Sequence, residues 1–527
     1  MSTLESTGKR ISRNAMFGLA AQVTYMIMRF IQTPWTLHAA GLEAYGFWSL
    51  LFVLLSYFGV NRSGISTAYQ TEVARNHVKG DWARSNRVLG AGTTGLVILS
   101  IPACFTAWAI SDPLLAMLKS SPEIWGDAKF SLILTVGVTW LSMIFASFES
   151  VLEGLQRHDV IRVVDFIFNV LETILIFVFL SMRMGLAGLA LAFALRSVLS
   201  IIVLAILCIR YAPDYHFKFC YPYREDIREL VSFGGMVQGM SCLFMVICSI
   251  DRFVLASVSN LTSTGLYELA RKLISFSATL PSQVSAPMIP AAADLAARST
   301  DGESFIEPFI QKSNRLVAFV LAPILIFLTV LAQPILVGWL GHGEELTARM
   351  MWALAIGAYI HLLTGGITST LRGLGKIRPE ISYAVLWLIL ALLFMPAFGW
   401  MMGPLGVAIG SSAAQIGACA LLLYASANEL KFDLKLWFRN AFAPALALIP
   451  IALIALAGWL ILKLPESRLN AALFLSAAGC FFAVGSGFVY WYVLFSHEER
   501  EITKHFVMRI RSMFTGSSKS LSQVATV

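Results

Sequence analysis

Six basic side chains interrupt otherwise apolar runs of this chain: Arg29, Arg62, Arg196, Arg252 and the neighbours Arg271 and Lys272. A guanidinium presents a planar fork of donors that matches phosphate or carboxylate oxygens two at a time. Gathered together, these residues would select an anion such as a phosphate and repel cations. Acids lie among them: Glu149, Asp165, Glu172, Asp251 and Glu268. They can neutralise the bases, and Asp251, Glu268 or Glu172 could carry a proton or sodium ion. Patterns for covalent or metal chemistry do not emerge. The eight histidines form no HExxH or other ligand spacing, and the seven cysteines form no CxxC pair. The stretch "RGLGKI" (372–377) lacks the first glycine and the Ser/Thr of a phosphate-binding loop. The expectation is a non-enzyme with no metal, no cofactor and no direct use of ATP.

The elements carrying these charges follow from composition. The chain has 527 residues, 57% hydrophobic and 13% charged, with mean hydropathy +0.73. So few charges could not cover so much apolar surface in water. Apolar runs of ~20 residues recur throughout, the length that crosses ~30 Å of hydrocarbon as a helix. An all-α polytopic membrane protein is expected. We place fourteen spans near 14–37, 45–69, 88–110, 127–150, 161–181, 186–209, 229–254, 262–289, 314–338, 348–370, 380–402, 404–427, 440–462 and 471–495. The basic start "MSTLESTGKRISRN" leads into a run without a small-residue cleavage site, so an uncleaved first span is expected.

Alternate connections differ sharply in charge. One set holds 27 Lys and Arg residues, including Arg75, Arg84, Arg157, Arg224, Arg372 and Arg439; the other holds six. The positive-inside bias puts both termini in the cytoplasm. The net charge of +8 needs no nucleic acid; contact with anionic lipid heads accounts for it.

The sequence also repeats. "YGFWSL" (45–50) matches "TGLYEL" (264–269), and "LEGLQ" (152–156) matches "LRGLG" (371–375), both displaced by 219. "GLAGLALA" (185–192) matches "GPLGVAIG" (403–410) at 218, and "ARSNRVL" (83–89) matches "QKSNRLV" (311–317) at 228. Spans one to six are thus duplicated as seven to twelve, in one orientation. The expected organisation is an N-lobe over 1–228, a C-lobe over 229–427, two further spans over 428–495 and a basic cytoplasmic tail over 496–527, with an amphipathic helix near 498–514. Such a duplication implies transport by alternating access. The longest outer loop, about 111–126, leaves no aqueous domain for a membrane glycosyltransferase or polymerase.

Each buried charge has a structural alternative, since an unpaired one facing lipid costs ~2.5–3.5 kcal/mol. Arg29, about one turn before Pro34, could snorkel outward, and so could Arg252. Arg196 could pair with Glu172 on another helix. Asp251 and Arg252 are adjacent and point ~100° apart, so they neutralise each other poorly. Glu268 and Lys272 have the favourable i, i+4 order, with Arg271 competing.

The ordered set Asn14, Gly18, Pro34, "GLEAYGFWSL" and "FGVNRSGIS", with "GLQRHD" (154–159) and "RGLGKIR" (372–378), resembles the bacterial polysaccharide flippases of the multidrug/oligosaccharidyl-lipid/polysaccharide exporter superfamily. The resemblance covers essentially the whole chain. It implies a V-shaped pair of bundles in the bacterial inner membrane. It implies a polyprenyl-pyrophosphate-linked oligosaccharide as cargo for O-antigen or exopolysaccharide, a polysaccharide polymerase or export machinery as partner, and a proton or sodium gradient as energy source. In the related lipid II flippases, arginines on the first, second and eighth spans bind the headgroup; Arg29, Arg62 and Arg271 lie on comparable spans. One departure stands out. Many polysaccharide flippases carry an acid where this chain has Arg62. A drug/cation antiporter and a lipid II-type flippase are the alternative readings.

Overall fold

A computed structural model describes residues 24, 27–118, 120–221, 223, 245–247, 249–285, 287–298, 305–462, 467–497 and 499–501. Among them every regular element is helical. They run α1 (27–40), α2 (Leu42–Lys79), α3 (Trp82–Met117), α4 (Pro122–Ile144), α5 (Ala146–Gly154), α6 (His158–Ser181), α7 (Gly185–Tyr211), α8 (249–258) and α9 (Leu261–Phe276). Then follow α10 (Thr279–Ser285), α11 (Met288–Arg298), α12 (Ile306–Val330), α13 (Ala332–Leu340), α14 (Glu345–Leu363), α15 (Gly365–Gly373), α16 (Arg378–Leu430), α17 (Leu434–Leu462) and α18 (Arg468–Val489). A π-helical turn, Tyr490–Leu494, extends α18.

Nine helical segments among the described residues are long and apolar enough to cross a membrane. One of them, α16, holds two expected spans, because Gly403 at φ 63°, ψ −146° breaks it. Most of the first half of span one, the start of span seven, the tail helix and the Arg62 side chain lie outside the described residues.

The chain divides into two compact units, Met1–Ala270 with Ala384–Ala414, and Arg271–Tyr383 with Gln415–Val527. In the first, Phe47, Trp48, Leu50 and Leu51 of α2 pack with Leu132 and Val136 of α4 and Leu186 and Leu189 of α7. In the second, α12 packs along α14 and α17, and α13 against α18. Ala322, Leu448, Ala452, Phe482 and Tyr490 form a core there, so the last two spans are built into this unit. Outward faces stay apolar: Ile98, Ile101 and Phe105 on α3, and Leu446, Leu453 and Leu460 on α17, are exposed. Such surfaces suit hydrocarbon.

The sequence repeat is a repeat of backbone geometry. Gly185 and Gly403, 218 apart, both take positive φ, 50° and 63°, where a Cβ is strained. The turns after "LEGLQ" and "LRGLG" superpose bond for bond. Arg157 N donates to Leu152 O and Lys376 N to Leu371 O, each at 2.9 Å. Span four breaks at Phe145 (φ −92°, ψ 8°) and span ten at Thr364 (φ −74°, ψ −5°), again 219 apart. Within the first unit, Gly46 and its repeat partner Gly265 meet. A Cβ on Gly46 would lie 2.0 Å from Leu261 O, and one on Gly265 would lie 2.7 Å from Leu42 O. Leu42 and Leu261 are themselves 219 apart, so the contact is reciprocal, as across a local two-fold axis.

Candidate functional site

The buried charges of the first unit are held across helices. Glu172, on α6 and 3% exposed, lies between two guanidiniums. Arg29 Nη2 of α1 donates to its Oε1 at 3.2 Å, and Arg196 Nε of α7 lies 3.7 Å from Oε2. Arg196 Nη2 also donates to Asn169 Oδ1 at 3.4 Å. The expected pairing of Arg196 with Glu172 is therefore present. Arg29 turns inward, with its guanidinium 4.9 Å from the Phe52 ring centre, rather than snorkelling outward. Beside them Gln32 Nε2 donates to Thr173 Oγ1 at 2.6 Å. Two cations thus share one carboxylate.

A second pairing arises at the α8–α9 hairpin. Asn260 Oδ1 accepts from Ser263 N at 2.8 Å and starts α9. The tight turn brings residues 16 apart face to face. Arg252 Nε donates to Glu268 Oε2 at 2.8 Å, and Tyr267 Oη donates to Asp251 Oδ2 at 2.7 Å. Asp251 and Arg252 do send their side chains to different partners. Glu268, for which helical spacing gave Lys272 as partner, is held by a cation from the preceding span. Buried Tyr45 lies within electrostatic range of Glu268, Arg29 and Arg252, so those three groups share one neighbourhood. Arg271 and Lys272 are half-buried on α9 and fall in the second unit.

The structure adds a feature that spacing could not. Arg196 lines a cavity of about 450 Å³ inside the first unit, together with Glu149, Asp165, Ser142, Ser197 and Ser200. Phe145, where span four breaks, is at its wall. Ser66 also lines it, its Oγ 2.8 Å from Ser150 Oγ. Arg196 therefore faces two carboxylates here, not other arginines. Asp165 is also paired with Arg162 at 3.4 Å.

In the second unit His361 Nδ1 is 2.8 Å from Tyr383 Oη, with the rings stacked 6.2 Å apart. Its sequence signal is a lone histidine inside an apolar run, without a second histidine at ligand spacing. Apolar grooves also occur: one of about 490 Å³ lies among α12, α14 and α17, lined by Leu325, Trp352, Tyr359 and Phe442.

Comparison with known proteins places this geometry. Residues 43–343 match the model of a family described as polysaccharide biosynthesis protein. No protein of curated function matches the sequence. Among solved structures the chain is similar to the lipid II flippase MurJ in an inward closed conformation, with TM-score 0.65 and 14% identity over 89% of this chain and 99% of that one. It is also similar to an inward-facing multidrug resistance MATE family transporter of the MOP superfamily, with TM-score 0.61 and 15% identity over 77% and 94%. A third is a MOP superfamily transporter from Pyrococcus furiosus, described by the reverse polarity of its binding pocket, with TM-score 0.54 and 15% identity over 80% and 95%. These likenesses show a shared fold.

Proposed function

We propose a function from one premise: this chain belongs to the polysaccharide biosynthesis protein family and has the fold of the MOP superfamily. It is a flippase that carries a polyprenyl-pyrophosphate-linked oligosaccharide from the cytoplasmic to the periplasmic leaflet of a bacterial inner membrane, by alternating access. The observation that carries this reading is the pair of guanidiniums, Arg29 and Arg196, on the single carboxylate of Glu172. The two guanidiniums are held inside the membrane, where charge is retained only against a cost. A pyrophosphate offers the complementary anion, and Arg62 is proposed to join Arg29 in binding it. Coupling to a proton or sodium gradient is proposed to run through Asp251, Glu268 or Glu172, carboxylates buried or half-buried in the first unit. A polysaccharide polymerase is the proposed downstream partner.

Deleting the gene should make polyprenyl-linked oligosaccharide accumulate on the cytoplasmic side, as read by mass spectrometry of extracted lipids. Unchanged lipid pools would sink the reading. Accumulation of a peptidoglycan precursor would move the cargo to lipid II. Glu149 and Asp165 in the cavity favour one rival, a cation antiporter. That rival predicts loss of drug efflux on deletion with no change in lipid intermediates.

A further inference from the structure

The cavity of the first unit is polar, roomy and lined from four directions: Ser66 from α2, Ser142 and Glu149 from either side of the break in span four, Asp165 from α6, and Arg196 and Ser200 from α7. Its volume of about 450 Å³ falls within the ~300–1,000 Å³ of small-molecule sites. A bare metal ion needs only a shell of oxygens at ~2.4 Å. In transporters a discontinuous helix at a polar cavity marks a binding site, and the break at Phe145 opens onto this one.

The internal repeat acts as a control on which residues the fold requires. Ser66 and Ser150 recur as Ser285 and Ser369, where Ser369 Oγ donates to Ser285 O at 3.0 Å. The break at Phe145 recurs at Thr364. The charges do not recur. The positions equivalent to Glu149, Asp165 and Arg196 are Thr368, Ala384 and Ala414. The break and the serine pair therefore recur without them, so neither feature requires these charges.

We propose that this cavity is a saccharide subsite, receiving one sugar of the carried head group and preferring an amino or neutral sugar to a uronic acid. The preference follows from the donors and acceptors. Hydroxyl and ammonium groups of a sugar donate to the carboxylates of Glu149 and Asp165, and the serine hydroxyls both give and accept. Glu149 and Asp165, the latter also paired with Arg162, share the wall with a guanidinium turned toward Glu172 and Asn169, and disfavour a further carboxylate. Only the origin of the sugar, a lipid-linked cargo, rests on the flippase reading.

The test uses the full chain in lipid nanodiscs carrying Ser200→Cys, with maleimide labelling at that peptide read by mass spectrometry. Glucosamine should slow labelling several-fold, glucose less, and glucuronate least. Glu149→Gln with Asp165→Asn should abolish the ranking. Thermal unfolding of the unsubstituted chain with the same three sugars checks the result without any variant, and should rank them alike. Protection by none of the sugars in either assay overturns the subsite, and leaves the flippase reading to its own lipid analysis. Protection by sodium chloride but not choline chloride, with sugars inert, makes the cavity a cation site and also overturns it.

Discussion

Spans four to six and spans ten to twelve share one architecture and differ in what it carries. Both broken spans part at the same repeat position, Phe145 and Thr364, and both end in the same turn. Both last pairs are joined at a positive-φ glycine, Gly185 and Gly403. Yet the first copy places Glu149, Asp165, Glu172 and Arg196 where the second places Thr368, Ala384, Ala391 and Ala414. The second copy keeps the break, the turn and the positive-φ glycine with small uncharged residues at those positions. Intramembrane charges are costly, so their retention on one side alone separates the scaffold from its use. The two copies share this frame and differ in their buried polar groups.

The strongest break in this comparison should come at Glu172. Glu172→Leu removes the carboxylate that Arg29 and Arg196 share, and a charge left unpaired in a membrane interior costs ~2.5–3.5 kcal/mol. We expect a large fall in thermal unfolding temperature in detergent, or no recoverable protein. Ala391→Gly in the other copy should change it little. A triple variant with Arg29→Leu, Glu172→Leu and Arg196→Leu should recover much of the stability, because replacing a whole buried ion cluster by apolar groups is often neutral. Export should stay absent in that variant. If export returns with the fold, the three charges are merely structural.

A smaller effect should follow at the glycine crossing. Gly46→Val drives a side chain into Leu261 O, and Gly265→Val into Leu42 O. Overpacking of this kind costs ~1–3 kcal/mol. Since the contact is reciprocal, the two variants should lose similar stability, measured as denaturation midpoints. A large inequality between them would refute the local two-fold.

How much of this was legible beforehand depends on the range of each interaction. The all-helical membrane fold and the repeated turns were, because apolar runs and the glycine at 185 and 403 are local signals, although the described residues hold nine spanning segments rather than fourteen. The Arg196–Glu172 pair was also legible, as two buried opposite charges on adjacent helices. The Arg252–Glu268 pair was not. Helical spacing pointed Glu268 at Lys272, and only the turn at Asn260 brings Arg252 across. The break in span four sits in "MIFASF" (143–148), which has no glycine or proline to signal it. Glu149 and Asp165 were visible as acids in apolar runs, but their convergence with Arg196 on a cavity depends on how four helices are rotated.

The finest test concerns the part both copies keep. Ser150 Oγ is bonded to Ser66 Oγ, and Ser369 Oγ donates to the backbone of Ser285. Hydrogen bonds between membrane helices average only ~0.6 kcal/mol, because the unfolded chain in the membrane also finds partners. Ser150→Ala and Ser369→Ala should therefore each lower the denaturation midpoint slightly and to a similar degree. Their consequences for export should diverge. Ser150 stands one residue from Glu149 and its partner Ser66 lines the cavity; Ser150→Ala leaves Ser66 Oγ donating to Glu153 Oε2, changes the hydroxyls at the proposed sugar site and should alter export rate. Ser369 stands beside Thr368, where no charge is kept, and Ser369→Ala should leave export unchanged. Equal loss of export in both would mean that these serines act only by joining helices, and that the asymmetry of charge does not extend to the hydroxyls around it.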